Sequence, residues 1–485
     1  MGVMGILDMG RSALAAQTAA IGVTGQNISN VNTPGYSRQT AVLETAPFNP
    51  DQTPAVGNGV VVATIKRTYD SFLQTQINTA TSASGQQSTT QTALQRIEPL
   101  FSDLGDSGLG TSLQNFFSAW QDLAMNPQGS AERQSVLSKA QSLVDDFHQI
   151  SSSLNSVKND ANQSLVTITS GINTTTAQIA ELNGQIRTVQ QSGGTTNQLR
   201  DSRDLLIQNL SRKVGITCLE QSDGTVNVSL TRGPQLVAGG TSASLSLQSD
   251  PANSGLSSII LSQPDGGGTG TDITPLVSGT DGNSGELGGT LQVRDSLVNT
   301  YQANLDELAT ALANQVNGVH ASGFGLNGGT GVNFFTPSAA PVPPATFNAG
   351  FSSTIALNIT STDAIAAAAV DPTQPGGGAG NNVSALAIAD LNSKTLSLTG
   401  GSNTLSGFFG SLLGKVGLAV QTSSQDVTQS TAMLNQLNNF RESTSGVSLD
   451  EELIALTKYQ KAYEGAARLI TTGQQMIDTV LAMIR

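Results

Sequence analysis

The stretch that decides the fold is residues 446–485, which reads GVSLDEELIALTKYQKAYEGAARLITTGQQMIDTVLAMIR. One apolar row recurs at every seventh position: Leu449, Leu456, Tyr463, Ile470, Ile477 and Ile484. A second row, four positions after the first, contains Leu453, Ala467 and Leu481 and is interrupted by Gln460 and Gln474. A seven-residue apolar repeat is typical of a helix that lies along another helix. We therefore expect a C-terminal helix that needs a partner.

The best candidate partner is at the other end of the chain. Residues 4–29 form a thinner row of the same period, which consists of Leu7, Leu14, Ile21 and Ile28. A helix this weakly apolar is marginal alone and stable only when it is paired. Thr33-Pro34-Gly35-Tyr36 should end it, because Pro-Gly favours positions i+1 and i+2 of a type II turn. The rest of the chain is then an insertion between two paired ends.

The intervening residues alternate between helical and β patterns. A long helix is predicted from Ala131 to Gln190, with its apolar stripe slipping by one residue at Leu165. A strand is predicted at Val60–Ile65, and a hairpin is predicted around Asp223-Gly224. The expected fold is mainly α with β inserts, with coiled-coil-like paired ends. The predicted domains are 1–45 with 441–485, a rod of 46–215, 285–324 and 381–440, a β-rich insert at 216–284, and a mixed loop and β insert at 325–380.

Composition excludes several classes of function. The 485-residue chain has a net charge of −13, which leaves no basic patch for nucleic acid. No apolar run is long enough to cross a bilayer, so we expect no membrane insertion. The only cysteine, Cys218, excludes an internal disulfide. The N-terminus lacks a secretory signal, which is compatible with a cytoplasmic protein or with export that uses no cleaved signal.

No catalytic constellation is present, so we expect neither an enzyme nor a cofactor. The two histidines, His148 and His320, have no partners at metal-ligand spacing, and His148 is better explained as a polar helical position. Cys218 has no adjacent base, and we expect it to be buried in a strand. The segment Asp265–Asp272 is similar to calcium loops but occurs once, so a flexible loop tip is the better interpretation.

Both ends resemble the signatures of bacterial flagellar rod, hook and hook-associated proteins. At the N-terminus the resemblance rests on Gly25-Gln26-Asn27-Ile28-Ser29-Asn30 followed by Asn32-Thr33-Pro34-Gly35-Tyr36. At the C-terminus it rests on 446–452 and on Tyr459-Gln460-Lys461-Ala462-Tyr463. Ser37-Arg38-Gln39 and the segment 197–237, with Leu199-Arg200-Asp201-Ser202-Arg203-Asp204-Leu205, are most similar to the hook-associated branch at the hook–filament junction.

The resemblance implies a structural adaptor that is exported unfolded and assembles as a ring between hook and filament. It implies contacts with other copies of itself, with hook protein and with a second junction protein, and a cytoplasmic export chaperone that binds the C-terminal helix. The implied assembly interface consists of Leu7, Leu14, Ile21, Asn27, Ile28, Asn30, Thr33, Pro34, Gly35, Tyr36, Leu449, Leu453, Leu456, Tyr463, Ile470, Ile477 and Leu481. Two alternatives remain open. The first is a hook or distal rod protein, and the second is a secreted wall hydrolase or adhesin with flagellar-like ends.

Overall fold

The structure is a computed structural model that describes residues 3–47, 58–102, 108–263, 270–279, 282–338, 347–378 and 380–484. Its α-helices are α1 (Val3–Ser29), α2 (Ser71–Phe101), α3 (Leu109–Met125), α4 (Ser130–Gln191), α5 (Asn197–Lys213), α6 (Gly285–Gln292), α7 (Val298–His320), α8 (Val383–Ala389), α9 (Leu405–Ser445) and α10 (Leu449–Ile484). Its strands are β1 (Gln39–Thr45), β2 (Val60–Arg67), β3 (Ile216–Glu220), β4 (Val226–Leu230), β5 (Gln235–Ala238), β6 (Thr241–Ser242), β7 (Ser244–Ser249), β8 (Ser257–Ser262), β9 (Thr271–Asp272), β10 (Leu396–Leu398) and β11 (Gly401–Asn403). A mainly α fold with β inserts is confirmed.

The long helix α4 is the common wall of two hydrophobic cores. It runs for 62 residues, which corresponds to about 93 Å at the standard helical rise. Its buried stripe serves one core as far as Val157 and a second core from Leu165 onward. The slip predicted from sequence therefore falls where α4 passes from one core to the other.

The first core is helical and aromatic. It joins the first half of α4 to the end of α2, to α3, α7 and α8, and to the start of α9. Segment 334–367 also contributes to it, through Phe334, Phe335 and Phe351. Trp120 on α3 lies at its centre, in edge-to-face contact with Phe334 and His320. The segment 325–380 thus shares its core with the helices.

The second core packs the second half of α4 against α5, α6 and the small sheets. One sheet has the antiparallel order β3-β4-β5-β6, and the other has the order β7-β8-β9. The predicted hairpin is present as β3 and β4, with Gly224 at φ +80° in the turn. Region 216–284 therefore also shares its core with α4, and the four-part division of the chain stays a prediction.

The two ends of the chain pack together, as the expected fold requires. Helices α1 and α10 are antiparallel: Asn27 near the end of α1 contacts Glu452 at the start of α10, and Leu7 lies against Gly473. The antiparallel β1–β2 hairpin packs on another side of α1. The strand predicted at Val60–Ile65 is β2, whereas its partner β1 was not predicted.

Three further sequence-based expectations concern Cys218, His148 and the segment Asp265–Asp272. Cys218 is exposed, so the prediction that it is buried is wrong. The reason is that β3 lies at the edge of its sheet and exposes Thr217 to Glu220. His148 lies on α4, where Nε2 contacts the Ile355 carbonyl at 2.8 Å. Most of the Asp265–Asp272 loop lies outside the described residues.

No helix among the described residues is long and apolar enough to cross a membrane.

Candidate assembly interface and the joint that supports it

The contact between α1 and α10 is close because small residues line it. Gly10 faces Ile470 so closely that a Cβ atom at position 10 would lie 2.5 Å from Ile470 Cγ1. Gly473 faces Leu7, and Ala466 is buried in the same contact. Close approach of two helices requires small side chains at the crossing positions, and these residues supply them.

The α10 face that meets α1 differs from the predicted one in its second row. Leu456, Ile470 and Ile477 of the first row are half-buried, whereas Leu449 and Tyr463 of that row are 46% and 41% exposed. In the predicted second row, Leu453 and Leu481 are 52% and 58% exposed and lie outside this contact, whereas Ala467 is half-buried. The actual second row is Glu452, Tyr459, Ala466 and Gly473. Its residues are small or polar, so a search for large apolar residues misses them.

On α1, the predicted residues Leu7, Leu14, Ile21 and Ile28 are half-buried. The most buried positions are others, namely Gly10, Ala16, Ala20, Val23, Thr24 and Asn27. They are small or polar because α1 is enclosed by both α10 and the β1–β2 hairpin.

Asn27 is a polar hub at the end of α1, and all four hydrogen-bonding positions of its side chain are used. Its Nδ2 donates to the Gln39 carbonyl at 2.8 Å and to Glu452 Oε2 at 3.0 Å. Its Oδ1 accepts from the Tyr36 hydroxyl at 2.9 Å and from the Gln39 N–H at 3.0 Å. One amide thus joins α1, the turn, β1 and α10. A fully satisfied buried polar group specifies one arrangement of the elements that it connects.

The turn after α1 has the predicted type II form. Gly35 has φ +81°, and the Tyr36 N–H donates to the Thr33 carbonyl at 3.2 Å. Asn30, Thr33 and Pro34 lie at the surface around it, with the Thr33 hydroxyl 3.1 Å from Asn30 Oδ1. Burial, and then the nearby charges of Asp201 and Glu452, raise the pKa of Tyr36 to about 12, so its hydroxyl stays a donor to Asn27.

Arg38 connects the turn to both C-terminal helices. Its Nε donates to Glu452 Oε1 at 2.7 Å, and one terminal nitrogen lies 2.8 Å from Glu451 Oε2. Its backbone N–H donates to the Ser445 carbonyl at the end of α9, at 2.9 Å. Glu452 is only 2% exposed, and each of its carboxylate oxygens has a partner. Its position in the first turn of α10 is also favourable for a negative charge.

A second cluster fixes the terminal part of the chain to α5. One terminal nitrogen of Arg67, at the end of β2, donates to Asp201 Oδ1 at 2.8 Å and to Asp204 Oδ2 at 2.7 Å. Asp201 also accepts from the Ser37 N–H at 3.2 Å. Burial raises the pKa of Asp204, and the Arg67 charge opposes that shift. We call Asn27, Arg38, Arg67, Asp201 and Glu452 the joint, because together they connect both chain ends to the long-helix part.

The charged residues of α5 are part of the segment that carries the family resemblance, but the sequence did not predict that Asp201 and Asp204 belong to this joint. Arg203 points to the other side of α5, where it donates to Asn183 Oδ1 on α4 at 3.0 Å and to the Gly224 carbonyl at 2.7 Å. Asp201 and Asp204 are one helical turn apart and therefore share a face. Two carboxylates on one face of a helix could have predicted that a buried cationic side chain binds there.

A second apolar stripe on α10 was also missed. It is formed by Ile454, Leu469, Met476, Val480 and Met483, all of which are exposed in the isolated chain. At about 100° per residue these five positions fall within about 80° of arc, roughly a quarter turn from the face that meets α1. Exposed apolar stripes of this kind mark interaction sites.

The described residues contain no group of three or more His, Cys, Asp or Glu side chains arranged to hold a metal ion. His320 is buried, with Nδ1 donating to the Val332 carbonyl at 2.7 Å and Nε2 accepting from the Ala366 N–H at 3.0 Å. Burial lowers its pKa, so it is a neutral structural residue that connects α7 to the following loops.

Three family models match the chain. The helical domain of the flagellar hook-associated protein FlgK matches residues 94–335. The C-terminal model of the flagellar basal body rod FlgEFG proteins matches 441–483, and the flagella basal body rod protein model matches 7–36. "Flagellar hook-associated protein 1" of Bacillus subtilis is 28% identical over 98% of this chain and 97% of its own length.

The chain belongs to the flagellar hook-associated protein 1 family.

A second family member, from Escherichia coli, is 27% identical over 98% of this chain and 99% of its own length. The solved flagellar hook junction protein FlgK of Burkholderia pseudomallei has the same fold, with a TM-score of 0.67 and 19% identity over 76% of this chain and 100% of that chain. Each family match corresponds to a distinct part of the structure. The two rod-protein matches fall on the paired ends, and the hook-associated match spans parts of both cores.

Proposed function

We propose that this chain is the structural adaptor that joins hook to filament in the bacterial flagellum, and that it assembles as a ring through its terminal helices. The observation that carries the proposal is the exposed apolar stripe of α10. Five large apolar side chains lie on one face of α10, about a quarter turn from the face that packs on α1. A neighbouring copy would bury them.

A ring requires a contact between two different surfaces of the same chain. Such heterologous contacts close into rings or continue as helical arrays. The stripe is one such surface, and it lies on a different side of α10 from the Glu452–Gly473 row. The intrachain pair and the interchain contact can therefore exist together. The residues predicted from sequence as the assembly interface therefore include members of both contacts. Leu7 and Ile470 belong to the intrachain helix pair, whereas Leu453 and Leu481 are exposed and available to a neighbouring copy.

The proposed partners are hook protein on one side of the ring and a second junction protein on the other. The same stripe also gives a physical reason for a cytoplasmic export chaperone, because an apolar surface of this size promotes premature association. A chaperone bound to α10 would cover the stripe until export. The proposed location is the extracellular hook–filament junction, reached through the flagellar export apparatus without a cleaved signal. We propose that the chain has no enzymatic activity.

The experiment that tests this proposal is deletion of the coding sequence, followed by electron microscopy of the cell-surface flagella. We expect complete hooks without filaments and filament protein shed into the medium. Cells without hooks would instead identify a hook or distal rod protein. Normal filaments would contradict the adaptor function. Incubation of the purified chain with peptidoglycan tests the hydrolase alternative, for which we expect no release of fragments.

A further inference from the structure

Along the axis of α4, a short segment separates the two hydrophobic cores of the long-helix part of the molecule. On α4 the first core ends at Val157 and the second begins at Leu165. On the neighbouring helix the second core ends at Leu291, and the first begins again at Val293. We call this level the waist, defined by residues 157–165 and 291–297. Ala161 is the partly buried apolar side chain that packs at it from α4.

At the waist, the spacing of buried residues changes on α4, and a π turn interrupts the neighbouring helix. The buried stripe of α4 steps from Leu154 to Val157, Ala161, Leu165 and Ile168, so two successive steps of four replace the usual alternation of three and four. On the other side, a π-helical turn at Val293–Leu297 separates α6 from α7, and the Val298 N–H donates to the Val293 carbonyl. A π turn inserts one extra residue into a helix and is frequent at functional positions. The change of register in the buried stripe of α4, which is a continuous α-helix, therefore coincides with the π turn of the neighbouring helix.

The waist has a groove at its surface. The groove has a volume of about 240 Å³ and is lined by residues of α2, α4 and α6, including Ser88, Ala93, Ala161, Ser164 and Thr290. The exposed ion pair between Arg96 and Asp160 crosses its edge. Close-packed interiors transmit displacement as rigid bodies, whereas a gap between two such bodies allows them to move relative to each other.

One buried side chain holds the waist together by polar contacts alone. Arg294 in the π turn is 1% exposed, and its guanidinium donates to Asn162 Oδ1 on α4 at 2.9 Å and to the Ser257 carbonyl on β8 at 2.6 Å. Its remaining nitrogens donate to both carboxylate oxygens of Asp295 at 2.8 Å. Asn162 in turn accepts from the Ser257 N–H at 2.9 Å. These directional hydrogen bonds connect the π turn to α4 and to β8, and they restrict the motion between these elements.

We propose that the waist is a bending point at which the two cores move as separate rigid bodies, with Arg294 as the pin that limits the motion. Bending here changes the angle between the aromatic core and the sheet-bearing core, which adjoins the joint through α5. The proposal stands on the interior of one chain and does not depend on the assembly proposed above.

A distance across the waist tests the proposal. Thr354 directly precedes Ile355, whose carbonyl contacts His148 on α4. Ser246 lies on β7 next to Leu245, whose backbone is hydrogen-bonded to Asn173 on α4. On α4, His148 and Asn173 are about 25 residues apart. They therefore lie on nearly the same side of the helix and about 37 Å apart along its axis. A bend of about 20° at the waist would change the distance between off-axis labels by several ångströms. We would introduce Ser246→Cys and Thr354→Cys in a Cys218→Ser background and measure nitroxide distances by pulsed EPR on the full-length protein.

We expect a broad distance distribution for this pair and a narrow one for the control pair Ser393→Cys and Thr354→Cys, both of which lie within the first-core half. Ala161→Leu, which places a larger apolar side chain between the two cores, should narrow the broad distribution. Arg294→Met should widen it further, and Arg294→Lys provides a milder removal of the pin if the Met variant does not fold. Ala131→Leu, an exposed position on the same helix, should change nothing. A cross-waist distribution as narrow as the control pair, or one that Ala161→Leu leaves unchanged, would overturn the proposal.

Discussion

At the scale of single residues, a few polar side chains fix the arrangement of the chain ends. Asn27, Arg38 and Glu452 come from three separate segments, and each is satisfied by the others or by backbone. Asn27 and Tyr36 were predicted as interface residues through a family resemblance, whereas Glu452 was not among the predicted residues. No periodicity could connect residues 27 and 452, because their contact depends on the antiparallel register of α1 and α10.

Asn27→Ala should weaken the connection between the ends without disturbing the rest of the chain. It removes two hydrogen bonds to the Gln39 backbone, one to Glu452 and one to the Tyr36 hydroxyl. Leaving buried polar groups unpaired costs about 1–3 kcal/mol. Amide hydrogen exchange of purified protein should be faster at the start of α10 and unchanged in α4. Asn30→Ala is the matched control, since the Asn30 side chain bonds only nearby groups among the described residues, namely the Gln26 carbonyl and the Thr33 hydroxyl. Equal exchange in the two variants would contradict the role of the hub.

His320 should make stability depend on pH. Its pKa is lowered by burial, so the unfolded chain binds a proton more readily than the folded chain. The stabilisation is therefore fully present above the unfolded pKa of about 6.5 and is lost as pH falls towards the lower folded pKa, by at most about 1.4 kcal/mol per unit. Urea unfolding at pH 7 and pH 5 should show a smaller loss for His320→Gln than for the wild type. The same pH dependence in both proteins would exclude this contribution.

At the scale of elements, the sequence predicted helices well and their faces less well. The bounds of α4 and the β3–β4 hairpin followed from apolar period and turn residues. The second row of α10 did not follow, because Ala466 and Gly473 are selected for close approach rather than for apolar size. Strand β1 was missed because its stability comes from pairing with β2 and packing on α1.

Gly10→Val tests whether close approach holds the terminal pair. A Cβ at this position meets Ile470 at 2.5 Å, and overpacking of this kind costs about 1–3 kcal/mol. We expect faster amide exchange in α10 around residues 466–477. Gly22→Val is the control, because a Cβ at Gly22 in the same helix meets nothing within 4 Å. Similar exchange in the two variants would mean that the helices do not depend on this contact.

At the scale of the whole molecule, the chain combines a stiff framework with a weakly covered end. Two cores share α4, and the joint connects them through α5 to a helix pair that leaves an apolar stripe exposed. The sequence indicated the discontinuous organisation, since both ends had the same period. It did not indicate two cores, because one apolar stripe along α4 does not reveal which elements cover it.

The most direct test of the central claim is a charge placed in the stripe of α10. Leu469→Asp should leave the purified monomer folded, because Leu469 is 40% exposed and does not belong to the row that meets α1. In deletion cells it should fail to attach filaments, because an unpaired charge in an apolar interface is strongly unfavourable. Thr471→Asp adds the same charge almost on the opposite side of the helix and should restore filaments. Normal filaments with Leu469→Asp, from a monomer with unchanged amide exchange, would contradict assembly through this stripe.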